Sequence, residues 1–262
     1  MSADCGTGAS PGGHDWPPSP PDVRMRADEV HVWRASLERG AEAYAACFAA
    51  LADDERRRAG RFHFERDRVR YVVARGVLRD ILGRLLRRPP SSLRFAYNEF
   101  GKPSLAGEAG GLRFNLAHSE GAAVYACALG REVGVDVEMW REDFAGMDLA
   151  RRFFSAAEVR ALGSQPPNLL TRSFFNCWTR KEAYIKALGE GLSHPLDSFA
   201  VTLAPGEPGR LVSTEGDPDE AALWSILDLK PFEGCAAALA VRGGVSRLCC
   251  WDWRPAGAAV GG

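Results

Sequence analysis

Trp178-Thr-Arg-Lys-Glu-Ala-Tyr-Ile-Lys186 holds two of the four lysines in this chain; the other two are Lys102 and Lys230. Of 33 basic residues 29 are arginine, so a lysine marks a position that wants a compact ammonium rather than a planar fork. Phe174, Trp178, Ile185 and Leu188 recur at helical spacing, which predicts a helix over Thr171 to Leu188, stopped by Gly189 and Gly191. Glu182 and Lys186 meet on one face of that helix. Upstream, Gly134-Val-Asp-Val-Glu138 alternates like a strand: Val133, Val135 and Val137 point one way, Asp136 and Glu138 the other. Each piece has an ordinary reading, a wet acidic strand face in one case and a surface ion pair in the other. Together they offer three carboxylates and two ammoniums, the set that a metal-bound phosphate ester needs around it.

The chain has 262 residues, 46% hydrophobic and 26% charged, as expected of a soluble globular protein of one large or two small domains. Its net charge of −1 argues against a polyanion binder, although Asp53 to Arg94 carries 13 Arg against 6 acidic residues. That arginine-rich stretch is either a solvated helix face or a surface for phosphates or an acidic partner. Seven cysteines, odd in number and without a CxxC, argue against a disulfide framework or zinc site and fit a reduced, cytoplasmic protein. No secretory signal and no membrane-length apolar run is visible.

Residues 1–27, rich in Gly, Pro and Ser, are expected to form a disordered tail, and 255–262 a flexible one. Between them, Glu29 to Trp33 reads as a first strand, and Ala41 to Leu51 and Arg66 to Leu86 as helices, the latter ended by Pro89-Pro90. Arg94 to Tyr97, Arg113 to Leu116, Ala122 to Leu129 and Glu132 to Met139 read as strands. Two short helices follow, Leu149 to Phe154 and Ser155 to Leu162, the second opened by the capping box Ser155-x-x-Glu158. After the Thr171–Leu188 helix come strands at Phe199 to Leu203, Trp224 to Asp228, Ala236 to Val241 and Arg247 to Trp253. Arg61-Phe62 before one long helix is echoed by Arg152-Phe153 before the other, compatible with two similar halves, 28–135 and 136–254.

Phe114-Asn-Leu-Ala-His-Ser119 runs from a strand into a turn, where His118 and Ser119 are placed to donate to an anionic oxygen. Tyr97-Asn-Glu-Phe-Gly-Lys-Pro103 is a turn presenting Lys102. Gly101-Lys-Pro103, Phe114-Asn-Leu-Ala-His-Ser119, Gly134-Val-Asp-Val-Glu138 and Trp178-x-x-Lys-Glu-Ala-x-x-Lys186 resemble, in order and spacing, the Sfp-type 4′-phosphopantetheinyl transferases. Arg56 to Phe64 and Phe153 to Glu158 resemble further segments of that family, and the likeness spans roughly residues 29 to 250.

The resemblance implies an α+β fold of two similar α/β halves with pseudo-twofold symmetry, the 4′-phosphopantetheinyl transferase fold, with coenzyme A between them. It implies transfer of the phosphopantetheine arm of coenzyme A to a serine of apo acyl or peptidyl carrier proteins of polyketide, nonribosomal peptide or fatty-acid synthases, with release of 3′,5′-ADP. Carried over by motif, Asp136, Glu138 and Glu182 hold Mg²⁺. Lys181 and Lys186 bind the pyrophosphate, and Arg58, Lys102, His118 and Ser119 bind coenzyme A, with Arg70 as an addition. Glu182 and Lys186 are then catalytic: Glu182, or a water beside it, takes the serine proton, and Lys186 steadies the departing phosphate. One departure is Ala117, where the family often has Ser before the His; a hydroxyl contact to coenzyme A is expected to be lost there. Arg79, Arg84 and Arg87 are candidates to steer an acidic carrier. The implied protein is a monomer without nucleic-acid or membrane partners. The rivals are a shorter-type transferase serving fatty-acid synthesis alone, a non-catalytic coenzyme A or nucleotide binding module, and a nucleic-acid binder using the arginines.

Overall fold

The computed structural model describes residues 14–107 and 111–255. Its elements fall into one series, run through twice. The first run is β1 (Glu29–Ser36), α1 (Ala41–Ala50), α2 (Asp53–Ala59), α3 (Glu65–Leu86), the short pair β2 (Phe95–Tyr97) and β3 (Pro103–Leu105), then β4 (Leu112–Ser119) and β5 (Ala122–Leu129). The second is β6 (Val133–Met139), α4 (Met147–Phe153), α5 (Ala156–Gly163), α6 (Leu170–Leu188), the pair β7 (Phe199–Val201) and β8 (Leu211–Thr214), then β9 (Trp224–Leu229) and β10 (Cys235–Arg242). A last strand, β11 (Arg247–Asp252), closes the chain. The first sheet has the order β11-β1-β5-β4 and the second β6-β10-β9, so in each run the first strand pairs with the last.

Alternation along the strands builds the layers. Val30 and Val32 on β1, Val124, Ala126 and Ala128 on β5, and Val133, Val135 and Val137 on β6 form one buried cluster between the two sheets. The opposite face of the first sheet, with Trp33, Ala35, Tyr125 and Cys127, packs on α3 through Val73, Val77 and Ile81. Ala236, Ala238 and Ala240 of the second sheet pack on α6 through Phe174, Ala183 and Ile185. The result is helices, sheet, sheet, helices, the expected pair of similar halves.

Four details depart from the sequence reading. The repeat ends at Leu129 and restarts at Val133, so a boundary at 135/136 would cut β6. β11 pairs in parallel with β1, which returns residues 247–252 to the first half. Residues 14–27 lie against the body because Trp16 Nε1 donates to the Lys230 carbonyl at 2.9 Å, Pro18 bridges to Asp252, and Val23 enters the first-half core; residues 1–13 and 256–262, the rest of the expected tails, lie outside the described residues. Finally, the Arg61-Phe62 echo is out of register, since Arg61-Phe62 follows α2 whereas Arg152-Phe153 lies in α4, the counterpart of α1.

Candidate active site

The site lies along the seam between β6 and α6. Gly134 allows the close approach: a Cβ there would sit 2.1 Å from the Ala183 carbonyl oxygen and 2.3 Å from the Ala187 nitrogen. With strand and helix in contact, Asp136 and Glu138 on the helix-facing side of β6 meet Glu182 and Lys186. The acidic face is therefore covered, and Asp136 is 2% exposed.

Lys186 Nζ donates to Asp136 Oδ1 at 2.5 Å. The other oxygen, Asp136 Oδ2, is buried without a hydrogen-bond partner, a costly state for a carboxylate. Burial raises the Glu182 pKa, and Asp136 and Glu138 raise it further against the pull of Lys186, to about 7. Burial likewise raises that of Glu138, aided by Asp136. Burial alone would lower the pKa of Lys186, but Asp136, Glu182 and Glu138 outweigh it and hold the ammonium charged. Glu138 accepts from Ser119 Oγ at 2.8 Å, and that oxygen in turn accepts from the Met139 N–H at 3.3 Å.

β4 continues through Ser119, because the turn comes only at Glu120-Gly121, with Glu120 at φ 52°. His118 and Ser119 are thus strand residues rather than turn residues, and the Ser119 hydroxyl orients Glu138. His118 lies in the field of Lys186 and Arg70; desolvation first and then these two cations lower its pKa, favouring the neutral ring. Arg70 is held by Glu38 Oε1 at 2.8 Å. Arg58 is exposed, stacks over Tyr71 at 5.4 Å, and lines a cavity of about 630 Å³ with Asp54, Arg57, Arg61 and Phe62. Ala117 is buried in the cluster between the sheets, so its side chain faces packing rather than the seam.

Two expected ligands are engaged elsewhere. Lys181 is 0% exposed, donates to the Leu196 and Phe199 carbonyls at 2.7 and 2.6 Å, and pairs with Glu158 at 2.9 Å. One residue from Glu182 on a helix is a turn of about 100°, so Lys181 points into the core and not at a pyrophosphate. Lys102 Nζ is bound to the Ala187 carbonyl and to Glu132. The arginine-rich stretch is also largely committed: Arg79 is buried on Glu55, Arg84 pairs with Asp80, and Arg87 with Asp22. Asn115 went unnoticed in the sequence, yet its buried Oδ1 accepts from the Val135 N–H at 3.0 Å and ties β4 to β6. An asparagine amid a strand's apolar run is the signal, since a buried amide needs a partner.

Among the described residues no three His, Cys, Asp or Glu side chains form a closed metal cluster. Asp136 is neutralised by Lys186 and Glu138 is turned to Ser119. The donors at the seam are nonetheless all carboxylate oxygens, one of them buried and unpartnered, which suits a hard cation such as Mg²⁺. Cys47, Cys127, Cys177 and Cys235 are buried free thiols. No helix among the described residues is long and apolar enough to cross a membrane.

Residues 132–240 match the model of the 4′-phosphopantetheinyl transferase superfamily, and residues 32–129 that of the 4′-phosphopantetheinyl transferase N-terminal region. These spans coincide with the two structural repeats. The 4′-phosphopantetheinyl transferase HetI of Nostoc sp. is 38% identical over 244 residues, covering 92% of this chain and 97% of that protein. The 4′-phosphopantetheinyl transferase Sfp of Bacillus subtilis is 31% identical over 153 residues, 58% of this chain and 66% of that protein. The crystal structure of Thermotoga maritima holo-[acyl-carrier-protein] synthase aligns with a TM-score of 0.34 at 22% identity, covering 43% of this chain and 63% of that one. With a relative this similar along nearly the full length of both proteins, the chain belongs to the 4′-phosphopantetheinyl transferase superfamily and is an enzyme of that class.

Proposed function

We propose that this enzyme moves the 4′-phosphopantetheine arm of coenzyme A onto a serine of an apo acyl or peptidyl carrier protein, with Mg²⁺, and releases 3′,5′-ADP. The observation that carries this reading is the β6–α6 seam, where Asp136, Glu138 and Glu182 surround the Lys186 ammonium and Asp136 Oδ2 is buried unpaired. Asp136, Glu138 and Glu182 would hold the metal, which when bound supplies charge neutralisation at the pyrophosphate. Reactions of this kind depend on positioning and electrostatics more than on covalent enzyme chemistry. The serine oxygen forms a bond to the β-phosphorus as the bond to the 3′,5′-ADP oxygen breaks. Glu182, or a water beside it, takes the serine proton. Lys186 donates to the phosphate that leaves. His118, favoured neutral, donates a ring N–H to a nucleotide phosphate. Ser119 steadies Glu138. Arg58 and Arg70 supply guanidinium charge for coenzyme A phosphates.

The test is the intact mass of a purified apo carrier after incubation with the enzyme, coenzyme A and Mg²⁺. A gain of one phosphopantetheine arm, abolished by EDTA, is the expected result. Glu182→Gln is expected to lower kcat by about 10²–10⁴. No gain on polyketide, peptidyl or fatty-acid carriers, with coenzyme A still bound, would overturn the reading in favour of a binding module. Near-normal turnover of Glu182→Gln in Mg²⁺ would remove Glu182 from the chemistry.

A further inference from the structure

The β2–β3 hairpin belongs to the first half, but its tip is fastened to the second. Asn98 Nδ2 donates to the Gly189 carbonyl at 2.6 Å, and Lys102 Nζ donates to the Ala187 carbonyl at 2.7 Å. Both carbonyls lie at the C-terminus of α6, where helix geometry leaves acceptors without an amide and where partial negative charge favours an ammonium. The same Nζ reaches Glu132 Oε2 at 3.1 Å, one residue before β6 begins. The tip is shaped for this reach. Asn98 Oδ1 accepts from the Lys102 and Phe100 amides at 2.7 and 3.1 Å, and Gly101 turns at φ 84°. Gly189 sits at φ 80°, and a Cβ there would meet Lys102 Cδ at 2.8 Å, so the helix end is fitted to the lysine.

We infer that Lys102 is a positioning residue, one ammonium that pins the start of β6 to the end of α6 and so sets the register of the seam. Ala187 adjoins Lys186, and Glu132 immediately precedes the strand that carries Asp136 and Glu138. Displacement of either anchor shifts one side of the constellation against the other. This inference rests on the function proposed above for that seam, and assigns Lys102 a task other than touching the nucleotide.

The experiment compares Lys102→Met, Lys102→Arg, Asn98→Ala and the double variant Lys102→Met/Asn98→Ala. Two readouts are taken: steady-state transfer to an apo carrier with coenzyme A varied, and amide hydrogen exchange over residues 185–189 in the substrate-free enzyme. Lys102→Met leaves Glu132 its second partner, Arg113, at 3.3 Å. A misplaced catalytic group costs rate, so Lys102→Met is expected to lower kcat by about 10–100-fold with the coenzyme A KM within about threefold. Asn98→Ala is expected to follow in the same direction, the double variant to fall short of the product of the singles, and Lys102→Arg to recover part of the loss. Exchange at 185–189 is expected to speed up by about tenfold or more in Lys102→Met. A coenzyme A KM raised about tenfold with kcat unchanged, and a silent Asn98→Ala, would overturn the inference and make Lys102 a nucleotide ligand. If the wild type transfers nothing to any carrier, the proposed function fails, and exchange then decides on Lys102 by itself: unchanged protection in the variant overturns the pinning. Should Lys102→Met not fold, Asn98→Ala decides by the same two readouts, with unaltered kcat and unaltered protection counting against.

Discussion

The two halves spend the same scaffold differently. Each has a short helix whose third residue is a buried glutamate: Glu55 in α2 accepts the Ala52 N–H at 3.1 Å, and Glu158 in α5 accepts the Ser155 N–H at 2.8 Å. Each glutamate then anchors the following long helix, Glu55 through Arg75 and Arg79 of α3, Glu158 through Lys181 of α6. The difference lies one layer further in. On the helix-facing side of the first strand, the first half carries Trp33 and Ala35 and packs them apolar against α3. The second half carries Asp136 and Glu138 there, opposite Glu182 and Lys186. One seam is core and the other is a site. A repeat unit of this kind tolerates a charged seam because its stability is anchored elsewhere, in the glutamate–cation pairs and in the valine layer between the sheets.

The largest expected effects come from breaking those anchors. Glu55→Ala leaves Arg75 and Arg79 buried without a counter-charge, at a cost of about 3–5 kcal/mol, read from urea unfolding. Glu158→Ala strands Lys181 at a similar cost of about 3–5 kcal/mol. The halves then separate in activity. Glu55→Ala is expected to keep the kcat of its folded fraction, whereas Glu158→Ala loses kcat as well, because Lys181 directly precedes Glu182. The double variant Glu158→Met/Lys181→Met is expected to regain most of the stability, as apolar replacements of buried ion pairs often do, with the coenzyme A KM unchanged. A large rise in that KM would return Lys181 to the pyrophosphate.

A tightly packed glycine in each half gives the next test. Gly134→Ala would push β6 off α6, since the added carbon meets the Ala183 oxygen at 2.1 Å. Gly76→Ala would push α3 off α1, meeting Cys47 Cβ at 2.4 Å. Overpacking of this sort costs about 1–3 kcal/mol, or more against backbone. Both variants should melt earlier, but only Gly134→Ala should lose turnover per folded molecule. Equal turnover in the two would mean that strand–helix spacing at β6 does not matter to the chemistry.

Much of this was legible in the sequence, and what was not has identifiable causes. The long helices, the strands of the two sheets and the meeting of Asp136, Glu138, Glu182 and Lys186 follow from local periodicity and motif order. The strands at 103–105 and 211–214 were too short to carry a period. Lys181 was misplaced because a motif gives the neighbourhood of a side chain but not its direction: one step along a helix separates a residue in the seam from one in the core. The sequence presents Lys102 on a turn, open to coenzyme A, because its acceptor at the end of α6 is 85 residues away in the chain. The arginines between Asp53 and Arg94 looked like free charge because their partners Asp22 and Glu55 come from other elements.

The halves should also answer pH with opposite signs. In the first half, burial lowers the His31 pKa below its ordinary 6.5, so its contribution is full above about 6.5 and is lost as pH falls. In the second, Glu182 is raised from 4.5 to about 7, so the folded, metal-free protein holds a proton that the unfolded chain has released. Its contribution is present below about 4.5 and is lost as pH rises through 7. Urea unfolding in EDTA between pH 5 and 7.5 should show these slopes partly cancelling in the wild type. Glu182→Gln should leave a net rise of stability with pH, and His31→Gln a net fall. The same slope in all three proteins would show that neither group reports on its half.

The smallest effect concerns the surface. Arg87 pairs with Asp22, but both side chains are more than half exposed, at 64% and 60%. Such a pair sits in high dielectric, is screened by salt and holds two mobile side chains in place, so its worth is at most a few tenths of a kcal/mol. Arg87→Ala is expected to change stability by less than about 0.5 kcal/mol. Arg79 cannot contribute to a carrier-facing surface at all, since Glu55 and the Pro90 and Leu93 carbonyls hold it inside. Arg84 is spent on Asp80 and the Arg254 carbonyl. Of the three arginines that could steer an acidic carrier, then, only Arg87 is exposed enough to act at a distance. Replacing it should leave the salt dependence of the carrier KM nearly as it was. A clearly flatter dependence would show that one exposed guanidinium on α3's C-terminal side does what the buried ones cannot.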